Sequence, residues 1–246
     1  MKQKLLIIPD VHGRTFWKEA LESDNYKKVI FLGDYVDPYW FEGIDNFTAI
    51  FNFKDILSQK TKDPDRIVLL LGNHDLSYYS DHFSKMGKSD RYDDENEEEL
   101  KQLFHDNRKL FKLAHEETID NTHYLFSHAG VTQEWLKQNK KIIGKPDAEH
   151  LNHLLDTNKG IGTLAQVGEA RWGRYPSGSI VWADAEELAD SEPFTDTYQI
   201  VGHTMQFDGP IITDQFACLD CRTAFTLDHK GKLNPVSDIT PYEIIW

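Results

Sequence analysis

The sequence predicts an α/β fold with two β-sheets, and three observations point to it. Five short apolar runs lack polar alternation and are typical of strands buried on both faces. Helical patterns separate the first three runs, as expected of crossovers between parallel strands. From about residue 198 onward, alternating apolar runs and a turn at residues 228–232 predict an antiparallel second sheet. The five runs are Leu5–Ile8, Val29–Leu32, Ile67–Leu71, Tyr124–Phe126 and Ile200–Val201.

Two crossover helices are expected, over residues 15–23 and 46–60. Asp45 is the predicted N-cap of the second helix, since its carboxylate can accept a hydrogen bond from a free backbone N–H of the first turn. This helix should bury a wide apolar face, formed by Phe47, Ile50, Phe51, Phe53, Ile56 and Leu57.

An acidic run, residues 93–99, precedes apolar residues that recur at near-helical spacing between Leu100 and Leu113. Because acidic side chains are favourable at a helix N-terminus, the run predicts the start of a long surface helix. A docking motif for a partner is the alternative interpretation.

The length of 246 residues fits one domain, 1–246, with a loop-rich insertion at about 145–180. Glycines interrupt the helical patterns of this insertion, which is therefore a good place for substrate-selecting loops. No apolar h-region of a signal peptide follows the Met1–Lys4 start, and no apolar run approaches the roughly 18 residues of a membrane span. A cytoplasmic protein without a membrane partner is expected. Two cysteines, Cys218 and Cys221, predict no disulfide framework.

The formal net charge of −14 argues against broad binding to nucleic acid, since such binding depends on many Lys and Arg contacts to phosphate. An anionic substrate therefore needs local attraction from its binding site. The polar residues that follow the five apolar runs can provide that attraction through bound metal ions.

A short polar segment follows each of the five apolar runs. Open α/β sheets place ligands at the C-terminal ends of their strands, so one site can draw on all five segments. Their carboxylate, imidazole and amide oxygen donors suit Mn, Fe or Zn, whereas these segments contain no soft thiolate. We therefore predict a two-metal phosphoesterase site. The segments are Asp10–Gly13, Gly33–Asp37, Gly72–Asp75, Ser127–Gly130 and Gly202–Thr204.

The residue types predict which side chains hold each metal. Asp10 and His12 lie two apart on an extended chain and point to the same side, where they can hold one ion. Asp34 has two carboxylate oxygens and can bridge two cations about 3.5–4 Å apart. Water between two cations would lose a proton readily and supply hydroxide at neutral pH. The donors left for the second ion are Asn73, His128 and His203.

His74 adjoins a proposed ligand without being needed as one. It could protonate the leaving oxygen of the substrate as a general acid, while Asp37 orients its ring. A helix cap is the alternative role for Asp37.

The motif series D-x-H, G-D-x-x-D, G-N-H-[DE], H and G-H resembles that of the calcineurin-like metallophosphoesterase superfamily. The closest likeness is to its phosphoprotein phosphatase branch, with the bacterial and phage serine/threonine phosphatases and the symmetrical diadenosine tetraphosphatases. The resemblance spans residues 4 to about 228. The segments with the closer likeness are Gly33–Asp37, Ser127–Val131, Ile180–Asp184 and Phe216–Asp220.

The resemblance implies a four-layer αββα sandwich with two packed mixed sheets and a dinuclear centre. It implies the ligands given above, with Asp34 shared by both ions, and the acid role of His74 with Asp37. The expected cofactors are two divalent metal ions, with Mn first and Fe or Zn as alternatives. The expected reaction is hydrolysis of a phosphomonoester, including serine or threonine phosphates of proteins, by metal-bound hydroxide. Two alternatives stay open: a hydrolase of diadenosine tetraphosphate or another nucleotide, and a non-catalytic metal-binding scaffold.

Two departures from the family pattern matter. Met205 stands where many members have a second histidine, and the phosphatase branch also lacks that histidine. Pro38 stands where the branch has an arginine that holds the substrate phosphate. Arg14, Arg171 or Arg174 could replace this planar, two-pronged grip.

Overall fold

Two β-sheets form the centre of the structure, a computed structural model that describes residues 4–239. Residues 1–3 and 240–246, which the predicted single domain 1–246 includes, lie outside the described residues. The strands are β1 Leu5–Ile8, β2 Lys28–Phe31, β3 Ile67–Leu70, β4 Phe111–Lys112, β5 Ala114–Ile119, β6 Thr122–Ser127, β7 Thr197–Val201, β8 Ile211–Ile212, β9 Phe216–Cys218, β10 Phe225–Leu227 and β11 Leu233–Pro235.

Nine α-helices accompany these strands within residues 4–239. Both predicted crossover helices are among them. The helices are α1 Phe16–Glu22, α2 Asn46–Lys62, α3 Asn73–Tyr79, α4 Asp81–Ser84, α5 Glu97–Asp106, α6 Gln133–Ile143, α7 Ala148–Asn152, α8 Asn158–Leu164 and α9 Ala185–Asp190.

The first sheet has the strand order β11-β10-β1-β2-β3-β4, and the second has the order β5-β6-β7-β9-β8. Strands β1 to β4 are parallel to one another, as are β6, β7 and β9 in the second sheet. Each of the five predicted apolar runs forms a strand, so the positions of these strands are confirmed.

The prediction of an antiparallel second sheet in the C-terminal part of the chain is wrong. Strand β7 is parallel to both of its neighbours, and the β10–β11 hairpin joins the first sheet, antiparallel to β1. Apolar alternation identifies the buried face of a strand but not the edge on which it pairs. The turn itself lies where predicted, because the Asp228 carboxylate accepts hydrogen bonds from the backbone N–H groups of Lys230 and Lys232.

The two sheets pack face to face through a layer of apolar side chains. Leu5 of β1 points into this layer together with Phe126 of β6 and Ile200 of β7. Its neighbour Leu6 points the other way, into the cluster shared with α1 and α2. On the outer face of the second sheet, Leu188 of α9 packs in the cluster that contains residues of β7 and β9. The arrangement is the predicted four-layer αββα sandwich.

Helix α5 is shorter than the long helix predicted from the acidic run. It begins at Glu97, with three glutamates in its first turn, and ends at Asp106. Asp93 stays outside the helix because its carboxylate accepts hydrogen bonds from the backbone and side chain of Asn96. The apolar pattern continues beyond the helix since Phe111 pairs with β3 in strand β4.

The segment 145–180 contains α7, α8 and two short 3₁₀ turns, His153–Asp156 and Glu169–Arg171. Cys218 and Cys221 are both free and buried. Among residues 4–239, no helix combines the length and the apolar character that a membrane crossing requires.

Helix α2 begins as predicted but buries a narrower face. The Asp45 side chain accepts a hydrogen bond from the backbone N–H of Thr48 at 2.7 Å. Phe53 is fully buried, whereas Phe47 and Phe51 are 77% and 61% exposed, so this part of the predicted apolar face is wrong. The buried residues that the prediction named are Ile50, Phe53, Ile56 and Leu57.

We expect Phe53→Ala to lower the free energy of unfolding by about 3–5 kcal/mol, as large-to-small changes in a closed aromatic core do. The Phe53 ring lies 5.1 Å from the ring of Tyr35 and 4.8 Å from that of Phe104, between centroids. Phe51→Ala, the same change on the exposed side of the helix, should shift the value by less than about 0.5 kcal/mol. Denaturant titration measures both variants, and equal losses would contradict the packing described for α2.

Candidate active site

The five polar segments meet at the C-terminal ends of β1, β2, β3, β6 and β7, and Asp34 lies at their centre. The Oδ2 atom of Asp34 is 3.4 Å from Nε2 of His12 and 3.4 Å from Nε2 of His128. All three side chains are buried. Two groups that could hold a metal share this carboxylate: His12, Asp34 and His74, and Asp34, His128 and His203.

The remaining predicted ligands complete the two groups. Nε2 of His128 lies 3.0 Å from Oδ1 of Asn73 and 3.0 Å from Nδ1 of His203. On the other side, Oδ2 of Asp10 lies 4.0 Å from Nε2 of His12. The structure thus brings all six predicted metal ligands together.

Backbone carbonyls fix the rings of two histidines. Nδ1 of His12 lies 2.8 Å from the carbonyl oxygen of Val36, and Nδ1 of His128 lies 2.9 Å from that of Leu32. A carbonyl oxygen only accepts, so each Nδ1 carries a proton and donates it. Both Nε2 atoms are then directed at the site, as expected of histidines that ligate a metal.

Left-handed backbone conformations occur at residues that form the site. The φ angle is +42° at His12, +52° at Asp34, +56° at Asp37 and +67° at His203. For residues other than glycine this conformation is uncommon and costs on the order of 1 kcal/mol or more, and such strain clusters at functional sites. Each of these residues follows the end of a strand, where the turn redirects a polar side chain towards the same point.

Two glycines make room for the carboxylates. A Cβ at Gly72 would lie 2.0 Å from Oδ1 of Asp34, and a Cβ at Gly202 would lie 2.1 Å from Oδ1 of Asp10. The same two oxygens accept backbone hydrogen bonds, from His74 at 3.1 Å and from His203 at 2.9 Å. Glycine is required here because the carboxylates approach the neighbouring backbone too closely for any side chain.

The charges of the site favour a bound cation. Burial opposes ionisation of Asp34, but the neighbouring histidines, led by His128, hold the pKa of the Asp34 carboxyl well below its usual range. Burial likewise opposes protonation of His128, but the carboxylates of Asp34 and Asp10 raise the pKa of its imidazole to about 9. Burial lowers the pKa values of His12 and His203 well below their usual range. The buried carboxylates therefore favour positive charge at the site. A bound metal ion would supply this charge without the protonation of a histidine.

The donors fit a metal of the predicted kind. Carboxylate oxygens, imidazole nitrogens and one amide oxygen suit Mn, Fe or Zn. Nε2 of His203 is buried and has no hydrogen-bond partner, and Nδ1 of the same ring points at Nε2 of His128. A buried nitrogen that lacks a partner is costly, and a metal ligand is one of the few uses that explain it.

His74 and Asp37 form a hydrogen-bonded pair beside the metal ligands. Nδ1 of His74 lies 2.7 Å from Oδ2 of Asp37, which also accepts a hydrogen bond from Ser89 at 3.0 Å. Tyr78 accepts from the backbone N–H of Asp93 and donates its own hydroxyl to Oδ1 of Asp37 at 2.5 Å. Asp37 accepts from all three partners, so His74 carries its proton on Nδ1 and turns Nε2 towards the cleft.

The three arginines predicted to bind phosphate lie in different places. Arg14 is buried and engaged, because Glu42 accepts from its Nε at 2.8 Å and from its Nη2 at 3.0 Å. Arg171 borders the cleft, paired with Asp184 at 3.0 Å and bonded to Thr204 at 2.9 Å. Arg174 lies in a neighbouring groove, outside the cleft.

Arg91 lies next to His74 and His12, and sequence reasoning missed it. Its Nη2 lies 2.9 Å from Nε2 of His74 and 3.4 Å from Nε2 of His12, and its guanidinium carbon lies 3.5 Å from the centre of the Tyr39 ring. Its Nε and Nη1 are buried without a hydrogen-bond partner. The loop between α4 and α5 that carries Arg91 has no apolar periodicity, so only proximity in space reveals it.

Asp75 is a second residue whose role the sequence did not reveal. Its carboxylate accepts hydrogen bonds from the backbone N–H groups of Asp34 at 2.7 Å, Tyr35 at 2.9 Å and Gly72 at 2.8 Å. Its position directly after His74 was the available signal. It holds two of the polar segments against each other.

The catalytic cleft, a cavity of about 530 Å³, opens above the metal ligands and is lined by His12, Asp34, Asn73, His74, Arg91 and His203 among others. Buried carboxylates and histidines at strand ends, open to such a cleft, define the class of metal-dependent hydrolases. The family model for calcineurin-like phosphoesterases matches residues 4–207. The chain therefore belongs to the calcineurin-like phosphoesterase family, whose members use divalent metals.

Solved structures share the fold at low sequence identity. A cold-active protein-tyrosine phosphatase from Shewanella sp. is 15% identical, with a TM-score of 0.57, 96% of this chain covered and 81% of that chain. A protein serine/threonine phosphatase from Saccharomyces cerevisiae is 14% identical, with a TM-score of 0.55, 99% of this chain covered and 82% of that chain. No curated protein sequence is detectably similar to this chain. These similarities establish the fold. The substrate has to be inferred from the residues of the site.

We expect Asp34→Asn to lose metal from both groups of ligands or to bind it much more weakly, because the shared negative oxygen is removed. His203→Ala removes a ligand of one group and should mainly affect that one. Elemental analysis of the purified variants reports the metal bound per chain, and thermal unfolding checks that each variant is folded. Two tightly held metal ions in folded Asp34→Asn would contradict the shared role of Asp34.

Proposed function

We propose that the protein hydrolyses a phosphomonoester with the help of two divalent metal ions, and that serine or threonine phosphates of a protein are its leading substrate class. The observation that carries the proposal is the position of the Asp34 carboxylate, which belongs to both groups of potential metal ligands. Family membership supports the phosphoesterase reaction. Two solved structures with the same fold are those of protein phosphatases, which supports a protein substrate.

The side chains fall into two ligand sets. Asp34 belongs to both, and Mn is the leading metal, because oxygen donors are as frequent as nitrogen donors in the combined set. When bound, two such cations lower the pKa of water and neutralise charge on the phosphate. The first set is Asp10, His12 and Asp34, and the second is Asp34, Asn73, His128 and His203.

His74 is placed to deliver a proton to the leaving oxygen. Its Nδ1 is occupied by Asp37, so Nε2 is the nitrogen that would carry the proton in transit. Nη2 of Arg91 donates to this Nε2 at 2.9 Å, so Arg91 must turn from His74 to the substrate phosphate before Nε2 can carry a proton. Asp37 stabilises the protonated ring and keeps its orientation. His74 also belongs to one of the groups that could hold a metal, and metal content therefore separates the two roles.

Arg91 supplies the phosphate grip that is missing at Pro38. Its Nε and Nη1 have no partner, and its Nη2 faces two histidine nitrogens. Stacking on Tyr39 holds the guanidinium plane at the cleft. A positive group so close to a metal site is favourable when an anion lies between them, and a phosphate can accept two parallel N–H bonds from the arginine fork.

A nucleotide substrate such as diadenosine tetraphosphate is the alternative. A long polyphosphate needs several cations along its path, and the net charge of −14 gives little general attraction. The cleft offers Lys88, Arg91 and Arg171, of which Arg171 is already paired with Asp184 and Lys88 with Asp94. The cations available in the cleft therefore favour a single phosphoryl group.

We expect His74→Asn to keep its metal. Its loss of activity should be larger for substrates whose leaving group must be protonated to depart. Alkyl phosphates should be cleaved roughly 10²–10⁴-fold more slowly, whereas p-nitrophenyl phosphate, which has a good leaving group, should be much less affected. Steady-state kinetics on both substrates and elemental analysis measure these effects. Equal losses on the two substrates with intact metal would exclude the acid role, and loss of metal would make His74 a ligand.

We expect Arg91→Ala to raise KM for p-nitrophenyl phosphate about tenfold or more, since a charge-assisted hydrogen bond contributes roughly 1.5–3 kcal/mol. Arg91→Lys keeps the charge but lacks the planar fork, and it should recover only part of the loss. Metal content should stay unchanged in both variants. An unchanged KM in Arg91→Ala would show that phosphate is held elsewhere.

A further inference from the structure

A second cavity, here called the side groove, lies next to the catalytic cleft. It has a volume of about 640 Å³, larger than the cleft itself. No residue proposed for catalysis lines it. The side chains that define its chemistry are Met86, Ala165, Val167, Trp172, Arg174 and Tyr175.

Trp172 joins the two cavities, because its side chain lines both of them. The residue is 96% exposed, although tryptophan is among the side chains that gain most from burial. Its backbone is in the left-handed conformation, with φ of +57°. A bulky residue held in this conformation at full exposure is unusual, and it suits a side chain that covers a ligand rather than the protein core.

The loop that presents Trp172 is held firmly. Tyr175 donates its backbone N–H to Val167 at 3.2 Å, and Glu169 donates to the carbonyl of Tyr175 at 2.9 Å. Arg171, the residue before Trp172, is tied to Asp184 and Thr204 at the edge of the catalytic cleft. These contacts hold the loop in one position relative to the proposed metal-binding residues. A substrate would therefore bind to a preformed surface.

The walls of the side groove combine apolar surface with one cation. Met86 is 45% exposed, and Val167 and Tyr175 are half-buried. Arg174 is exposed, and within residues 4–239 its guanidinium has no hydrogen bond or ion pair. Such a surface matches a ligand that carries an apolar side chain and a nearby carboxylate. A single cation does not match a chain of phosphates.

We propose that the side groove binds the peptide that flanks the phosphorylated residue of a protein substrate, with an apolar side chain against Met86 and Val167 and an acidic side chain at Arg174. The inference rests on the proposed function, since the cleft must hold the phosphoryl group while the peptide crosses Trp172. The two cavities, of about 530 and 640 Å³, meet at Trp172, so a peptide whose phosphoserine lies in the cleft can continue into the side groove.

The test compares four phosphoserine heptapeptides with p-nitrophenyl phosphate. Two peptides have Leu and Glu on one side or on the other side of the phosphoserine, and each has a counterpart with Gln in place of Glu. Wild-type protein should prefer a Glu peptide in one of the two orders, by about threefold to fivefold in kcat/KM over its Gln counterpart, as expected of an exposed charge pair.

Arg174→Glu should reverse this preference, and Met86→Glu should lower kcat/KM for the peptide about fivefold to tenfold by removing apolar contact. Both should leave kcat/KM for p-nitrophenyl phosphate within twofold of wild type. Lys230→Glu makes the same charge change as Arg174→Glu, but on the exposed β10–β11 turn. It should leave kcat/KM unchanged for every substrate.

The outcomes separate the two proposals. No hydrolysis of any substrate by the metal-loaded protein would overturn the proposed function. Hydrolysis of p-nitrophenyl phosphate with equal peptide rates in wild type, Arg174→Glu and Met86→Glu would overturn the side groove alone. Faster cleavage of diadenosine tetraphosphate than of every peptide would also overturn it, and would favour the nucleotide alternative.

Discussion

The carboxylate of Asp75 is the constraint on which the site depends. It ties the backbone after β2 to the backbone after β3, through Asp34, Tyr35 and Gly72, and so fixes the left-handed turn that aims Asp34 at the metal ligands. Without an acceptor at this point, three buried N–H groups would lack partners. The hydrogen bonds of Asp75 thus help to position the shared carboxylate of Asp34, and His12 and His128 lie on either side of it.

Much of the fold and the ligand set could be predicted because both depend on local features of the chain. Short apolar runs identify strands, and a polar residue after such a run lies at a strand end whatever its partners are. The pairing of β10 with β1 could not be predicted, since it joins residues more than 200 positions apart and the apolar pattern of β10 fits either sheet. Phe47 and Phe51 were misjudged for a related reason: they look like core residues, but no neighbouring element covers them.

The arginines show which site residues cannot be predicted from sequence motifs. Pro38 reveals that a family position has lost its cation, but Arg91 reaches His12 from 79 positions away, on a loop fixed by hydrogen bonds of Ser89 and Asp93. Those hydrogen bonds join residues that have no fixed spacing in the sequence. The same loop contacts Asp37 through Ser89, so the proposed phosphate-binding arginine and the proposed acid pair of His74 and Asp37 depend on one loop.

The central position of β1 has a consequence for how the protein forms. Strand β1 precedes the other described strands in the sequence, yet it lies between β2 and β10, and β10 ends only at Leu227. Until β10 has been synthesised, the edge of β1 that pairs with it keeps unpaired backbone groups. An open apolar edge of this kind invites pairing with other chains, and closing it over such a long sequence separation is slow. The chain is therefore open to pairing with other chains along this edge until β10 covers it.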